Sequence, residues 1–564
     1  MKPLRSAYLL IIALSLNAPS LVSEVSLSSD FTTPSNKAGV IYDFWNTHNR
    51  LPPYEKINIP AFGMEGSSVN CVRMLGGWSK KGERMLDYDC YKWDGDKYVY
   101  DWEPLIRRID VVLNSGIRLK QIVLDNPPWA FQHGITFVEE PDGVNYLASD
   151  KNSTYGNAVP PNDPAAWHEF IKAAISKLVE TYGEEQVASW RFRVGSEIDT
   201  RPGHWIGTRQ QYFDHYKNTI DAVHAVLPKA KVGAQFREAS FTGKKDYIDY
   251  KGNVEGSYAR AFIEWAKKNG IRYDFIGTSY YPFYDKEDSV DMDIVYREQI
   301  EPIQHHPDWR PGALFEIHEF WGLSQFRNGE FVWLSNSYSS SLFASISKMV
   351  LENDIKQVHL WGNIRDGLVE PNVLTQKALR SMQGMDRYTN TTSGSPSIEG
   401  NMINGIFARS AESENYDALI FNYNKKSMDY QEDEAVQTVF KVNTPPNTQY
   451  SFRVATYGKD ECAFQQFAVD FPKATKHESD GGWIKDSYDT NGTPYIMLVK
   501  EGVDTFVENT YRYTHLNDLQ WSEWETTASE YSDDEGSLIR IQTQLPSFAF
   551  QKIEVRSISN KNSR

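Results

Sequence analysis

Trp190-Arg191-Phe192-Arg193-Val194-Gly195-Ser196-Glu197 is the stretch on which the reading of this chain turns. Its first five residues can form a short strand, a glycine breaks the run, and a carboxylate follows. A helix is expected on its N-terminal side. Asp163-Pro164 offers an N-cap and a proline at the first helical position, and Trp167, Phe170, Ile171, Ala174, Ile175, Leu178, Val179 and Tyr182 then recur at helical spacing. On the other side a second helix runs from about Arg209 through Tyr212, Tyr216, Ile220 and Val223 until Pro228 stops it. Helix, strand and helix in succession are the units of a parallel sheet wrapped by helices.

The same alternation extends from about residue 57 to 385, with strand candidates at Val69–Leu75, Leu119–Leu124, Trp190–Val194, Lys231–Ala234, Phe275–Thr278, Ala313–Ile317 and Gln357–Trp361. Seven or eight such strands predict an α/β fold, a (β/α)8 TIM barrel, rather than a doubly wound sheet. No GxGxxG or GxxxxGK[ST] is present, so a nucleotide cofactor has no support and no cofactor is expected. After Met385 the texture changes to a Ser/Thr/Asn/Gly/Pro stretch (Thr389 to Gly400) and then to alternating segments such as Tyr416–Tyr423, Tyr450–Tyr457 and Ser537–Val555. These predict an all-β sandwich. The expected organisation is therefore a leader over 1–23, a barrel over 24–385 and a sandwich accessory domain over 386–564.

The leader is read from Met1-Lys2-Pro3-Leu4-Arg5, an apolar run from Ala7 to Leu16, and small residues around Ser20 and Ser23. A basic start, a short apolar core and a small-residue cleavage zone make a secretory signal peptide, and the run is shorter than the roughly 20 residues of a membrane anchor. The protein is expected in the periplasm or outside the cell. A net charge of −16 over 564 residues, without Lys/Arg-rich runs, argues against nucleic acid or an anionic membrane as partner. Oligomeric state stays open. Only Cys71, Cys90 and Cys462 are present, with no CxxC or Cys/His cluster, so no metal is expected.

In a barrel the chemistry sits at the C-terminal ends of the strands. Two carboxylates directly follow apolar runs there, Glu197 after Trp190–Val194 and Glu319 after Leu314-Phe315-Glu316-Ile317-His318. One carboxyl to protonate a leaving oxygen and a second to attack the anomeric carbon are what glycosidic cleavage requires. Ordinary salt-bridging glutamates would give the same spacing.

The segment from Trp190 to Asp199, continued by His204-Trp205, Tyr212-Phe213, Tyr216 and Lys231-Val232-Gly233, resembles the acid/base segment of glycoside hydrolase family 39, which reads W-x-F-E-x-W-N-E-P, an aromatic-rich loop, a Tyr-bearing helix and V-G-G. Val72-Arg73-Met74-Leu75-Gly76 with Tyr100-Asp101-Trp102 resembles the family's early strand and helix start. Tyr273-Asp274-Phe275-Ile276-Gly277-Thr278-Ser279-Tyr280-Tyr281-Pro282 resembles its D-F-I-S-x-H-x-Y-P, and Ile317-His318-Glu319-Phe320 its I-T-E-F. The resemblance covers roughly residues 40 to 385. It implies a retaining glycosidase with Glu197 as acid/base and Glu319 as nucleophile. On a regular strand the competing Glu316, three residues earlier, would face away and lie deeper.

The chain departs from the family pattern where it bears on substrate. Ser196 replaces the Asn before the acid/base, Ser279 replaces a His, and His318 replaces the Thr before the nucleophile. Further substrate-binding candidates are Arg73, Trp129, His204, Trp205, Gln235, Arg237, Tyr281, Trp361 and Arg365. Tryptophans stack on sugar faces, and Trp361 is the expected platform beneath the reactive sugar. Arginines at the mouth suit sulfate or carboxylate groups, which would mean a sulfated algal galactan or a uronate-containing glycan; pairing with surface acids explains them equally. The alternative to an enzyme is a non-catalytic carbohydrate-binding protein on a degenerate barrel.

Overall fold

The computed structural model describes residues 25–38, 41–44, 68–73, 90–114, 116, 118–124, 160–200, 204–205, 207–237, 247–248, 254–255, 257–280, 282, 290–320, 323–325, 331–333, 336–355, 357–360, 364–365, 367–427, 429–474, 502–532 and 536–558. Eight parallel strands close into a barrel: β1 (Ile41–Phe44), β2 (Ser68–Arg73), β3 (Arg118–Leu124), β4 (Arg191–Val194), β5 (Lys231–Phe236), β6 (Phe275–Tyr280), β7 (Leu314–Phe320) and β8 (Gln357–Leu360). They neighbour one another in chain order, and β8 pairs with β1. The (β/α)8 barrel expected from the sequence is therefore present. Strand β1, four residues long, was not among the strand candidates.

The two helices expected around β4 form over the ranges read from the sequence. Pro164–Tyr182 starts with the Asp163 carboxylate accepting from the Ala166 N–H. Arg209–Val226 starts with a capping box in which the Thr208 hydroxyl and the Gln211 side chain exchange bonds with each other's backbone N–H. Their inner faces, including Trp167, Phe170, Tyr212 and Tyr216, are buried. Tyr212 donates from its hydroxyl to the Val194 carbonyl, which fixes the helix against the end of β4.

Beyond the barrel lie two mostly antiparallel sheets. One has five strands in the order Asn390–Ser393, Val25–Asp30, Glu434–Val442, Gly536–Leu545, Glu530–Ser532. The other has eight strands and is centred on Asn415–Asn424, Ala549–Ser557 and Gln449–Tyr457. Val25, Leu27, Phe31, Phe407, Phe440 and Ile553 belong to the apolar core between them.

The helix Ser337–Glu352 joins the two parts. Six of its serines are buried, and three of these, Ser340, Ser341 and Ser347, return their hydroxyls to its own carbonyls. Small, self-satisfied side chains of this kind allow close approach on all sides. Its Phe343 stacks on Phe320 of β7, while its Tyr338 meets Phe548 of the sandwich.

Two boundaries differ from the sequence reading. Val25–Asp30 falls in the expected barrel segment, yet it pairs in parallel with Glu434–Val442 and antiparallel with Asn390–Ser393, so it is a sandwich strand. Its partners lie about four hundred residues away in the chain, beyond any local pattern. The region read as all-β also holds the helices Ala463–Asp470 and Gly502–Asn509, whose Phe467 and Phe506 pack together.

Candidate active site

The ends of β4, β5, β6 and β7 meet in one hydrogen-bonded cluster. Gln235, at the end of β5, donates from Nε2 to Ser279 Oγ on β6 (2.8 Å) and to Glu319 Oε1 on β7 (3.1 Å). Its Oε1 accepts from Ser196 Oγ at 3.3 Å, and Ser196 Oγ in turn accepts from Arg193 Nη2 at 3.4 Å. Ser196 is bonded in sequence to Glu197, so a single amide links the strand end that carries one candidate carboxylate to the other. Glu197 and Glu319 are 7% and 5% exposed, so both are nearly buried.

Glu197 sits in a tightly folded loop. Gly195 has φ 76 and Glu197 itself φ 46, in the left-handed region that a non-glycine residue enters at a cost. The conformation is held from several sides. The Gly195 N–H bonds to the Leu124 carbonyl of β3, the Thr200 N–H to the Glu197 carbonyl, and the His204 N–H to the Thr200 carbonyl. His204 Nδ1 donates to the Ser196 carbonyl at 2.8 Å and lies 3.8 Å from Glu197 Oε2, which also accepts from Thr200 Oγ1 at 3.4 Å. Glu197 Oε1 is buried with no hydrogen-bond partner among the described residues. Asp199 accepts from the Arg237 N–H and so ties this loop to the end of β5.

Strand β7 contains the feature that sequence periodicity missed. Opposite β6, Thr278 pairs with Ile317 but Ser279 pairs with Glu319, so His318 is an extra residue and the strand bulges. The alternation is broken there, and Glu316, His318 and Glu319 all point away from the surrounding helices. The expectation that Glu316 faces away is thereby corrected. It lies inside the barrel, where both its oxygens are held by Arg191 and its Oε2 also meets His318 Nε2 at 2.8 Å.

His318, named among the substrate-binding candidates, is fully buried among protein groups. Its Nδ1 lies 3.4 Å from Arg193 Nη1. A proton on Nε2, shared with Glu316, satisfies both contacts. Burial holds the imidazole down at about pKa 3, although Glu316 pulls the other way. Burial would raise the Glu316 carboxyl, but Arg191 and the His318 hydrogen bond outweigh it and hold the group well below the usual carboxylate range.

Glu316, His318 and His359 bring ligand atoms within 4.8 Å of one another, a spacing a metal ion could use. The cations of Arg191 and Arg193 already occupy Glu316 and His318, so the cluster reads as a neutralised ion pair in the barrel floor.

Among the remaining candidates, Trp205 is a core residue. Its ring is fully buried against Tyr212 and His215, and its Nε1 donates to the Thr208 carbonyl. Ser196 and Ser279 lie in the cluster, and Arg237 stands exposed after β5. Arg73 and Arg365 are described in their backbone alone, on β2 and on the short strand Ile364–Arg365, while Trp129, Tyr281 and Trp361 lie outside the described residues. Arg191 and Arg193, which support the cluster from below, were not candidates. Their signal was visible, since two arginines two apart on a strand that enters a barrel need buried partners.

The family model for glycosyl hydrolases family 39 matches residues 137–304. The chain is 31% identical over 538 residues, 95% of its length and 94% of the relative's, to the alpha-1,4-L-rhamnosidase of Formosa agariphila. Among solved structures it superposes on the GH39 enzyme of Xanthomonas axonopodis pv. citri with TM-score 0.57 and 15% identity, covering 94% of this chain and 97% of that one. A monomeric beta-xylosidase of Caulobacter crescentus gives TM-score 0.58 and 14% identity, with 95% and 100% covered. The structural likenesses speak for the fold, and the end-to-end relative together with the family match speaks for descent. The chain belongs to glycosyl hydrolase family 39 and is a glycoside hydrolase acting on carbohydrate.

Proposed function

We propose that the chain is a retaining glycosidase that hydrolyses α-L-rhamnosidic linkages by double displacement, with Glu319 as nucleophile and Glu197 as acid/base. The observation that carries this reading is the cluster at the ends of β4 to β7, in which Gln235 bonds both Glu319 and the neighbour of Glu197. Glu319 attacks the anomeric carbon as Glu197 gives its proton to the departing glycosidic oxygen. The C1–O bond breaks, the alcohol leaves, and a glycosyl ester remains on Glu319. Glu197, now a carboxylate, takes a proton from water, whose oxygen attacks C1 and releases Glu319. The sugar assignment rests on the relative aligned over almost the whole chain, a rhamnosidase by name. Ser196 and Ser279, where the xylosidase-like pattern has Asn and His, favour it over a xyloside.

The experiment follows an α-1,4-linked rhamnose-containing oligosaccharide by NMR. Release of rhamnose with the anomeric configuration first retained is expected, and Glu319→Gln should reduce turnover by about a thousandfold or more. An inverted product would overturn the mechanism. Glycan binding equal in both proteins, with turnover in neither, would favour the carbohydrate-binding alternative. Arg237, exposed at the rim, supports an anionic glycan as the finer substrate class. A sulfated or uronate-bearing substrate should then be cleaved faster than its neutral counterpart, and Arg237→Gln should remove the difference. For location, the first described strand begins at Val25, directly after the proposed leader cleavage near Ser23. N-terminal sequencing of the exported protein tests it.

A further inference from the structure

Gln235 stands among the substrate-binding candidates, yet its side chain has little left to offer a sugar. It is fully buried. An amide has two N–H donors, and here both are used, one on Ser279 Oγ and one on Glu319 Oε1. Its carbonyl oxygen accepts from Ser196. We infer that Gln235 is a positioning residue, which sets the rotamer of Glu319 and locks the end of β7 to the end of β4 so that the two carboxylates keep a fixed separation.

This inference rests on the two-glutamate reading and deepens it. The bulge at His318 makes such a brace necessary. With regular alternation lost at the extra residue, pleating no longer determines which way the Glu319 side chain turns. Another group must do so, and the amide of Gln235 is placed 3.1 Å from its Oε1. Ser196 completes the brace. It is short enough to leave room for Gln235 and carries a hydroxyl that donates to the amide oxygen while accepting from Arg193. In this chain the residue before the acid/base is thus engaged with the protein framework.

The test is Gln235→Glu, which keeps the shape and replaces the donor beside Glu319 with a second carboxyl. The groups facing position 235 are Ser196 on the β4 side with Arg193 behind it, Ser279 on β6, and Glu319 on β7 with His318 beneath it. Arg193 is one hydrogen bond removed, so the new carboxyl acts chiefly on Glu319. Two carboxyls sharing a site resist double ionisation. The acid limb of the kcat/KM profile should therefore move to higher pH by about one unit or more. At the optimum kcat should fall by about a hundredfold with KM within about twofold, since a misdirected nucleophile loses the transition state more than the ground state.

Gln235→Met retains the volume without donors or charge. It should lose kcat in the same way but move the acid limb upward by less than the Glu variant does, since it removes a donor without adding a second carboxyl, and it serves alone if the Glu variant does not fold. A rise in KM with kcat and the acid limb unchanged would show instead that Gln235 binds sugar and would overturn the inference. Failure of the underlying reading has a different signature. If Glu319 is the nucleophile, Glu319→Gly is inactive and yields a glycosyl azide when azide is supplied; an active Glu319→Gly protein removes the reading itself, whatever the Gln235 variants do.

Discussion

Arg191 illustrates how one side chain in the barrel floor bears on both stability and chemistry. Its guanidinium holds both Glu316 oxygens and lies 4.1 Å over the Phe275 ring. Arg191→Met would leave Glu316 buried without its cation, a loss expected to cost about 3–5 kcal/mol in urea unfolding at pH 7. In the native protein the Glu316 carboxyl titrates well below its unfolded value of 4.5. Its contribution is therefore complete above the unfolded value and is lost as pH falls through the folded one. Without Arg191 the buried acid takes up a proton more readily, so the difference between the two proteins should shrink as pH falls. A difference that is constant across pH would show that Arg191 acts through packing alone. At this scale the sequence marked several of the residues that the structure brings together at the strand ends. Glu197 and Glu319 could be selected because they directly follow apolar runs, and Ser196 and Ser279 because they depart from a pattern. Trp205 and His318 could not be sorted, because a ring that stacks on sugar and a ring that fills a core have the same composition.

The element that shapes the site is β7 with its bulge. Gly277 on β6 is what admits it, since a Cβ there would lie 2.1 Å from His318 Nδ1. Gly277→Ala must push the imidazole aside. It should lower stability by about 1–3 kcal/mol in urea and reduce kcat by a larger factor than any change in KM, because Glu319 follows His318. An alanine variant with native kcat would mean that the bulge does not govern the placement of Glu319. Seven of the eight barrel strands were legible as short apolar runs between capped helices. The bulge was not, because it is a property of pairing between two strands, and the polar doublet His318-Glu319 does not by itself say that His318 is left unpaired. Strand β1 escaped notice because four residues without a flanking cap carry too little periodicity.

At the scale of the whole molecule, burial holds three histidines among the described residues in neutral form. Burial holds His215 and His318 to about pKa 3 and puts His359 well below the ordinary value of 6.5. The unfolded chain binds protons at these positions below about pH 6.5, whereas the folded one does not until near pH 3 or lower. Stability should therefore fall with decreasing pH across this window, by up to about 1.4 kcal/mol per pH unit for each histidine. His215 lies between Trp167 and Trp205, and His215→Phe should flatten the slope by about one proton. Urea midpoints from pH 7.5 to 5 measure it, and an unchanged slope would contradict the assignment.

The largest departure from the sequence reading also belongs to this scale. Barrel and sandwich could each be recognised by texture, but Val25–Asp30 joins a sheet whose other members come after residue 385. Removing residues 25–30 should leave Glu434–Val442 with an open edge and lower the thermal midpoint of the sandwich. A midpoint equal to that of the full chain would mean that this strand is dispensable. The same pairing has a consequence for biogenesis. A ribosome delivers the first strand long before its parallel neighbour leaves the exit tunnel, so this lobe must close last, around a cylinder already assembled. A chain ending near residue 385 would then hold all eight barrel strands and one orphan ribbon, a species recognisable by a quality-control protease.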